Sequence, residues 1–101
     1  MSEAASASVD NDTLRVSGVL DFESVPLLQP IGQQWLAGCS APVCRLDLGG
    51  VTYSSSVGLA LVLEWLRAAV AADKSLQIDN MPADMTALVR VGGLDFLLPA
   101  A

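Results

Sequence analysis

Three kinds of side chain in this sequence have the chemistry for a reactive site: a run of serines at positions 54–56, two cysteines and one lysine. A serine nucleophile needs a base within hydrogen-bonding distance, and the sequence contains no histidine. Lys74 follows Ser56 by 18 residues, which is ~27 Å along a helix and too far to activate the hydroxyl. We therefore expect no catalytic residue and no enzymatic activity.

Cofactor and metal sites have equally little support. Cys39 and Cys44, without a histidine, make a poor zinc site. The two glycine-rich loops that bind nucleotide phosphates, Gly-x-x-x-x-Gly-Lys and Gly-x-Gly-x-x-Gly, are absent from the sequence. We expect no cofactor, no bound metal, no nucleotide and two reduced thiols.

The serines have two interpretations. A short hydroxyl side chain at a helix start accepts hydrogen bonds from free backbone N–H groups, which accounts for Ser55 or Ser56 as a helix cap. Alternatively, Ser56 is a regulatory hydroxyl. A phosphate there would be favoured by the positive end of the helix and would add about two negative charges to a docking surface.

The composition indicates one folded domain. The chain has 101 residues, of which 52% are hydrophobic and 16% charged, and this length suits a single core. The net charge of −6 repels phosphate backbones and anionic lipid headgroups, so we expect neither nucleic acid nor direct membrane insertion. No apolar run is longer than the five residues of 59–63, far below the roughly 20 residues that span a bilayer.

The start of the chain has no basic segment followed by an apolar one, so we expect no secretory signal and a cytoplasmic location. We expect a flexible tail at residues 1–5 and one domain over residues 6–101.

The local patterns predict seven elements in the order β-β-α-β-α-β-α. Strands are predicted at 6–9, 13–17, 43–48 and 75–79, with Gly18 ending the second strand and a loop at Gly49-Gly50. Helices are predicted from Val25 to Gly38, over 57–72, and after Pro82 to Gly92-Gly93. Leu94 and Phe96 to Leu98 are expected to fold back onto the core. Strands separated by helices imply mainly parallel pairing, with the first hairpin as an antiparallel edge.

The central helix carries two apolar stripes. One stripe is expected to face the core and comprises Leu59, Val62, Leu63, Leu66 and Val70. The second comprises Val57, Leu61, Trp65, Ala68 and Ala72. Either neighbouring helices bury this second stripe, or Leu61 and Trp65 form a patch for a partner, for which aromatic anchors are the usual carriers.

The sequence resembles the STAS domain family from about Asp12 to Leu98. The resemblance rests on short fragments in a characteristic order: Asp12-Thr13-Leu14, Gly18-Val19-Leu20-Asp21, Leu46-Asp47-Leu48, Gly58-Leu59-Ala60-Leu61 and the segment 88–94. These fragments look most like the branch that contains MlaB, the STAS subunit of the Mla phospholipid-transport ABC system. The resemblance implies a single α/β domain with a mixed, mostly parallel sheet of four to five strands, an antiparallel edge hairpin and three to four helices.

The family motif at the start of the central helix is Asp, Ser or Thr, a small residue, Gly and Leu. The matching positions here are Ser55, Ser56, Val57, Gly58 and Leu59. By resemblance, Ser56 lies on the hydroxyl that anti-sigma factor antagonists phosphorylate and that MlaB-type proteins place at an ATPase contact. Ser55 replaces the acidic residue and Val57 a smaller one, and these departures favour a docking surface over a phosphorylation switch.

The resemblance implies a non-catalytic subunit that binds an MlaF-like ATPase, within a complex that includes a membrane permease and maintains outer-membrane lipid asymmetry. Its location would be peripheral at the inner membrane. The expected interface comprises Ser55 to Gly58, the Leu61–Trp65 side and the Gly92-Gly93 end of the third helix. The alternatives are an anti-sigma factor antagonist that binds a serine kinase and is phosphorylated on Ser56, and a free-standing STAS module that binds a small anionic or lipid ligand.

Overall fold

A computed structural model describes residues 5–97 of the chain. The elements are β1 (Ser6–Asp10), β2 (Thr13–Leu20), α1 (Val25–Gly38), β3 (Val43–Ser54), α2 (Ser56–Ala71), β4 (Ser75–Asp79), α3 (Ala83–Val91) and a 3-10 turn (Asp95–Leu97). The predicted element order is confirmed. The predicted tail lies outside the described residues except for Ala5, which is half-buried against the core, and Leu98 lies outside them as well.

The four strands form one sheet in the order β1-β2-β3-β4. β1 pairs antiparallel with β2, whereas β3 pairs parallel with both β2 and β4, which confirms the predicted fold class. Because β2, β3 and β4 are neighbours in sequence order and crossover connections share one hand, α1 and α2 pack on the same face. The opposite face is open and carries polar pairs such as Arg15–Asp10 at 2.9 Å and Arg45–Asp79 at 3.3 Å.

Two predicted strand ends are wrong. β2 continues past Gly18 to Leu20. Gly18 lies at a shift in the strand register and adopts a φ of 90°, a backbone angle that residues with a side chain disfavour. β3 continues through Gly49 and Gly50, where a loop was expected, and reaches Ser54. Gly50 pairs with Ser17, and a Cβ on Gly50 would lie only 2.7 Å from that of Ser17. These glycines therefore permit close strand contact instead of ending the strands.

The orientation of α2 differs from the predicted one. Its buried residues are Gly58, Leu59, Leu61, Val62, Trp65 and Ala69. At 3.6 residues per turn, the centre of this buried arc is rotated by roughly 90° from the predicted core stripe. Val70, expected in the core, is therefore exposed, while Leu61 and Trp65 of the second stripe turn inward. The cause is tertiary, because α2 lies between α1 and α3 as well as on the sheet.

The chain beyond α3 packs only in part as expected. Leu94 is partly buried against the core, which confirms its predicted contact, but Phe96 is largely exposed. Cys39 and Cys44 are both free and buried. Within residues 5–97, no helix is long and apolar enough to span a membrane.

Candidate functional site

The start of α2 is held against the end of β2 by Ser55. This residue is the N-cap of α2: its Oγ accepts a hydrogen bond from the Val57 N–H at 3.3 Å. Its own N–H and hydroxyl both donate to the Leu20 carbonyl, at 3.0 Å and 3.3 Å. The capping interpretation is thereby confirmed for Ser55, and the next residue is left without that structural task.

Ser56, the first residue of α2, is exposed. Within the described residues, its hydroxyl makes no hydrogen bond with another group of the chain. No acidic residue lies in the first turn of α2 itself. This hydroxyl is therefore available to solvent, to a partner or to a modifying enzyme, and its predicted regulatory and docking roles stay predictions.

Ser54 and Asp84 join α3 to the start of α2. The buried Ser54 donates its backbone N–H to the Asp84 carboxylate at 3.0 Å, and its hydroxyl donates to the Ser55 carbonyl at 2.9 Å. Asp84, in the first turn of α3, also accepts from the Met85 N–H at 2.8 Å. No local pattern marks Asp84, because only the fold brings this residue into contact with Ser54, 30 positions earlier in the chain.

Gly58 permits the close approach of α2 to the strand ends. It is buried, and a Cβ at this position would collide with the Ser54 hydroxyl and lie 2.9 Å from the Leu20 Cβ. A side chain would push the first turn of α2 away from β2. The predicted importance of Gly58 therefore has a steric basis, although the residue itself is too buried to provide much contact area to a partner.

The partner contact predicted for Leu61 and Trp65 is wrong, because both side chains belong to the core. Leu61 is 2% exposed and Trp65 is 1% exposed. The Trp65 Nε1 donates to the Gln29 carbonyl of α1 at 3.1 Å, and its ring fills the space left by Gly32. α1 thus covers the stripe that the helical pattern alone left open.

The predicted contribution of Gly92-Gly93 to the interface depends on where α3 ends relative to the start of α2. Asp84, near the N-terminus of α3, contacts β3 beside the start of α2. Gly92 lies eight residues further along α3, which is about 12 Å away. These glycines end α3, with Gly93 at a φ of 71°. Their part in a partner contact stays a prediction.

Exposed aromatic side chains lie close along the chain to this site. Phe22 is 80% exposed and follows Leu20, whose carbonyl binds Ser55, by two residues. Tyr53 is 52% exposed and precedes Ser55 by two residues. We call Phe22, Tyr53, Ser56 and Val57 the α2 N-terminal surface. The sequence pattern did not indicate that Phe22 and Tyr53 are exposed. Each is a single aromatic residue in a turn or at a strand end, where no repeating pattern separates exposed from buried positions.

The loop that carries Phe22 is held by reciprocal hydrogen bonds. The Asp21 carboxylate accepts from the N–H groups of Glu23 and Ser24, both at 3.0 Å. The Ser24 hydroxyl accepts from the Asp21 N–H at 2.9 Å and donates to the Val19 carbonyl at 2.7 Å. The bond from Ser24, followed by that from Glu23, lowers the pKa of Asp21 below its usual value. This loop therefore presents Phe22 from a defined backbone.

Lys74, the lysine considered as a base for Ser56, follows the opposite end of α2. Lys74 extends from beyond the far end of α2 and donates to the Leu36 carbonyl in the last turns of α1. Among residues 5–97, no three His, Cys, Asp or Glu side chains come together as a metal site. What the arrangement can provide is an exposed hydroxyl, a helix N-terminus and two aromatic side chains for contact with a partner.

Comparisons with known proteins agree with this fold. The chain is similar to an anti-sigma factor antagonist from Mycobacterium paratuberculosis, with 21% identity and a TM-score of 0.75 over 97% of this chain and 84% of that chain. It is also similar to the anti-sigma factor antagonist SpoIIAA in its unphosphorylated form, with 18% identity and a TM-score of 0.73 over 97% and 88%. The Bacillus cell fate determinant SpoIIAA in the phosphorylated form gives 20% identity and a TM-score of 0.69 over 97% and 91%.

At these identities the likeness concerns the fold. No curated protein matches the sequence significantly. The family model described as "Mlab, STAS domain" matches residues 3–99. Because this match spans nearly the whole sequence, the chain belongs to the STAS domain family, in the group that this model describes.

Proposed function

We propose that the chain is a non-catalytic subunit that binds the cytosolic ATPase of an Mla-type phospholipid-transport ABC complex. The observation that carries the proposal is the match of residues 3–99 to the family model described as Mlab. In this proposal the partner hydrolyses ATP and a membrane permease completes the complex, which maintains outer-membrane lipid asymmetry. The chain itself is cytoplasmic and reaches the inner membrane through the ATPase.

The proposed contact is the α2 N-terminal surface. Phe22 and Tyr53 supply aromatic area, which is the usual source of binding energy in an interface. Ser56 and the half-buried Val57 follow Tyr53 in the chain, at the start of α2. Leu61 and Trp65 act indirectly in this scheme, since their burial under α1 holds α2 in place.

Regulation of the ATPase would require a preference for one of its conformations. A subunit that binds two conformations equally stabilises the complex but shifts no equilibrium between them. If the chain binds one conformation more tightly, its presence raises the fraction of the ATPase in that conformation. If it binds both forms equally, it supports assembly alone.

The test is co-purification of the chain with the ABC ATPase encoded in the same cell. Phe22→Ala and Ser56→Glu should each weaken the complex at least tenfold, because one removes an anchor and the other adds a charge at the contact. The matched control for Ser56→Glu is Ser75→Glu, an exposed serine at the amino end of β4, where the same charge should leave binding unchanged. Full binding by both surface variants, with circular dichroism unchanged, would refute the interface.

A second candidate, an anti-sigma factor antagonist, is favoured by the anti-sigma factor antagonists among the similar folds and by the exposed Ser56 hydroxyl. In that case the partner is a serine kinase that phosphorylates Ser56. Incubation with such a kinase and ATP, followed by mass spectrometry, distinguishes the candidates. Stoichiometric phosphate that disappears in Ser56→Ala supports the antagonist, whereas co-purification with an ABC ATPase and no phosphate supports the transport subunit.

A further inference from the structure

Two thiols meet at the amino end of β3, whereas Ser56 lies beyond its carboxyl end. Cys39 is the residue after α1, and Cys44 is the second residue of β3. The Cys44 thiol donates a hydrogen bond to the Cys39 sulfur, with the two Sγ atoms 2.7 Å apart. A disulfide bond holds its sulfur atoms about 2 Å apart. The two sulfur atoms therefore need to approach by less than about 1 Å to reach the disulfide distance.

The two cysteines differ in their access to solvent. Cys44 is 0% exposed and Cys39 is 8% exposed. Cys39 also lines an open cavity of about 520 Å³, whose lining residues are Asn11, Asp12, Gly38, Cys39, Ser40 and Ala41. Cys39 is therefore the more accessible of the two cysteines to a small polar oxidant.

The proton on Cys44 assigns the two thiols different roles. Burial, and then the hydrogen bond to Cys39, raise the pKa of the Cys44 thiol to about 11, while the nearby positive charge of Lys74 opposes the shift. Cys44 is therefore protonated at neutral pH and is a poor first nucleophile. Cys39 is the sulfur placed to react first, and Cys44 the sulfur placed to resolve the product.

We propose that Cys39 and Cys44 form an oxidation site, at which a peroxide converts the dithiol into an intramolecular disulfide that ties the end of α1 to β3. In the first step, the Cys39 thiolate attacks a peroxide oxygen: the S–O bond forms, the O–O bond breaks, and the leaving hydroxide takes a proton to become water. In the second step, the Cys44 sulfur attacks the Cys39 sulfur. The S–S bond forms, the S–O bond breaks, and the leaving hydroxide takes the Cys44 proton.

The sum is two thiols and one hydrogen peroxide giving one disulfide and two waters. The sulfur pair loses two electrons and the peroxide gains them. A dithiol reductant reverses the change by thiol–disulfide exchange. The proposal is independent of the partner that the α2 N-terminal surface binds.

Ordinary core packing accounts for only part of this arrangement. A buried free cysteine often behaves as a small hydrophobic side chain, which explains Cys44 among its core neighbours. Packing alone explains neither the contact between the two sulfur atoms nor the opening of the Cys39 side onto a cavity lined with polar residues.

The experiment uses the reduced, full-length chain and hydrogen peroxide, followed by alkylation of the remaining thiols and non-reducing trypsin digestion. No lysine or arginine lies between Arg15 and Arg45, so residues 16–45 form one peptide that contains both cysteines. We expect this peptide to lose the mass of two hydrogen atoms, to resist alkylation, and to recover both thiols after dithiothreitol. Two alkylated cysteines after peroxide, or a disulfide between two chains, would overturn the proposal.

Two single variants test the order of the steps. Cys44→Ala removes the resolving thiol, so the sulfenic acid on Cys39 should accumulate and react with dimedone. Cys39→Ala should give at least tenfold less dimedone adduct, because the remaining thiol is buried and protonated. Equal labelling of the two variants would contradict the assigned roles. Circular dichroism checks that both variants are folded. If either variant is unfolded, the digestion of the unaltered chain still tests the proposal.

Discussion

Trp65→Ala and Phe22→Ala provide a matched test of which aromatic side chains build the core. Trp65 is 1% exposed and is among the largest fully buried side chains, whereas Phe22 is 80% exposed. Truncation of a buried Trp to Ala costs about 3–5 kcal/mol through lost burial and the cavity left behind. The same truncation of an exposed aromatic residue should stay within about 0.5 kcal/mol.

The cost of Trp65→Ala is a large part of the total stability. A chain of this length has a free energy of unfolding of about 5–15 kcal/mol. The variant also loses the hydrogen bond from the indole N–H to the Gln29 carbonyl, which is worth about 1 kcal/mol in general and is included in the range above. We expect the thermal midpoint to fall by at least about 12 °C, since 1 kcal/mol shifts it by roughly 4–8 °C in a small domain.

The assay is urea and thermal unfolding followed by far-ultraviolet circular dichroism, which does not depend on the tryptophan being replaced. Trp65→Phe serves as an intermediate variant and should lose less than Trp65→Ala, because it keeps an aromatic ring in the space beside Gly32. A loss below about 1 kcal/mol in Trp65→Ala, with an unchanged denaturant slope, would refute the assignment of Trp65 to the core. A loss that large in Phe22→Ala would refute its assignment to the surface.

Three further changes test the contacts around the strand ends. Gly58→Ala should cost about 1–3 kcal/mol in urea unfolding, because the new methyl group collides with neighbours; Gly38→Ala, with nothing within 4 Å of the new methyl group, is the control and should be nearly neutral. Lys74→Met should cost roughly 1–2 kcal/mol, since it removes a charged donor from a carbonyl near the end of α1, and an unchanged unfolding midpoint would contradict this. The hydrogen bond from the Asn80 side chain is the main reason that the pKa of Asp47 is lowered in the folded chain. The ionised carboxylate therefore stabilises the fold above its unfolded pKa near 3.8, and this stabilisation is lost as the pH falls through the lower folded pKa. Asp47→Asn should therefore flatten the fall in thermal midpoint as the pH is lowered below the unfolded pKa of Asp, and an identical acid limb in the variant would argue against it.

Local patterns in the sequence predicted most elements and part of the site. β4 and α1 have the expected ends, because strand alternation and glycine or proline boundaries act within a few residues. The role of Ser55 as a helix cap is local for the same reason, since its hydroxyl binds the N–H two residues ahead. The exposed Ser56 follows directly from that position at the start of α2.

What the sequence could not determine is which neighbours each element meets. α2 is apolar on more than one side, so its periodicity indicates a helix but does not select the face that α1 buries. The burial of Trp65 was decided by Gly32 of α1, and the link from Asp84 to Ser54 by the return of α3 to the end of β3.

The sequence by itself determined the class of fold and the order of its elements. It also contains no histidine that could act as a base for Ser56. Only the tertiary structure decided which aromatic side chains are exposed and that two cysteines place their sulfur atoms in contact. The physical reason is range: capping and periodicity act over a few residues of one element, whereas burial and contact depend on elements that meet only after the sheet has formed.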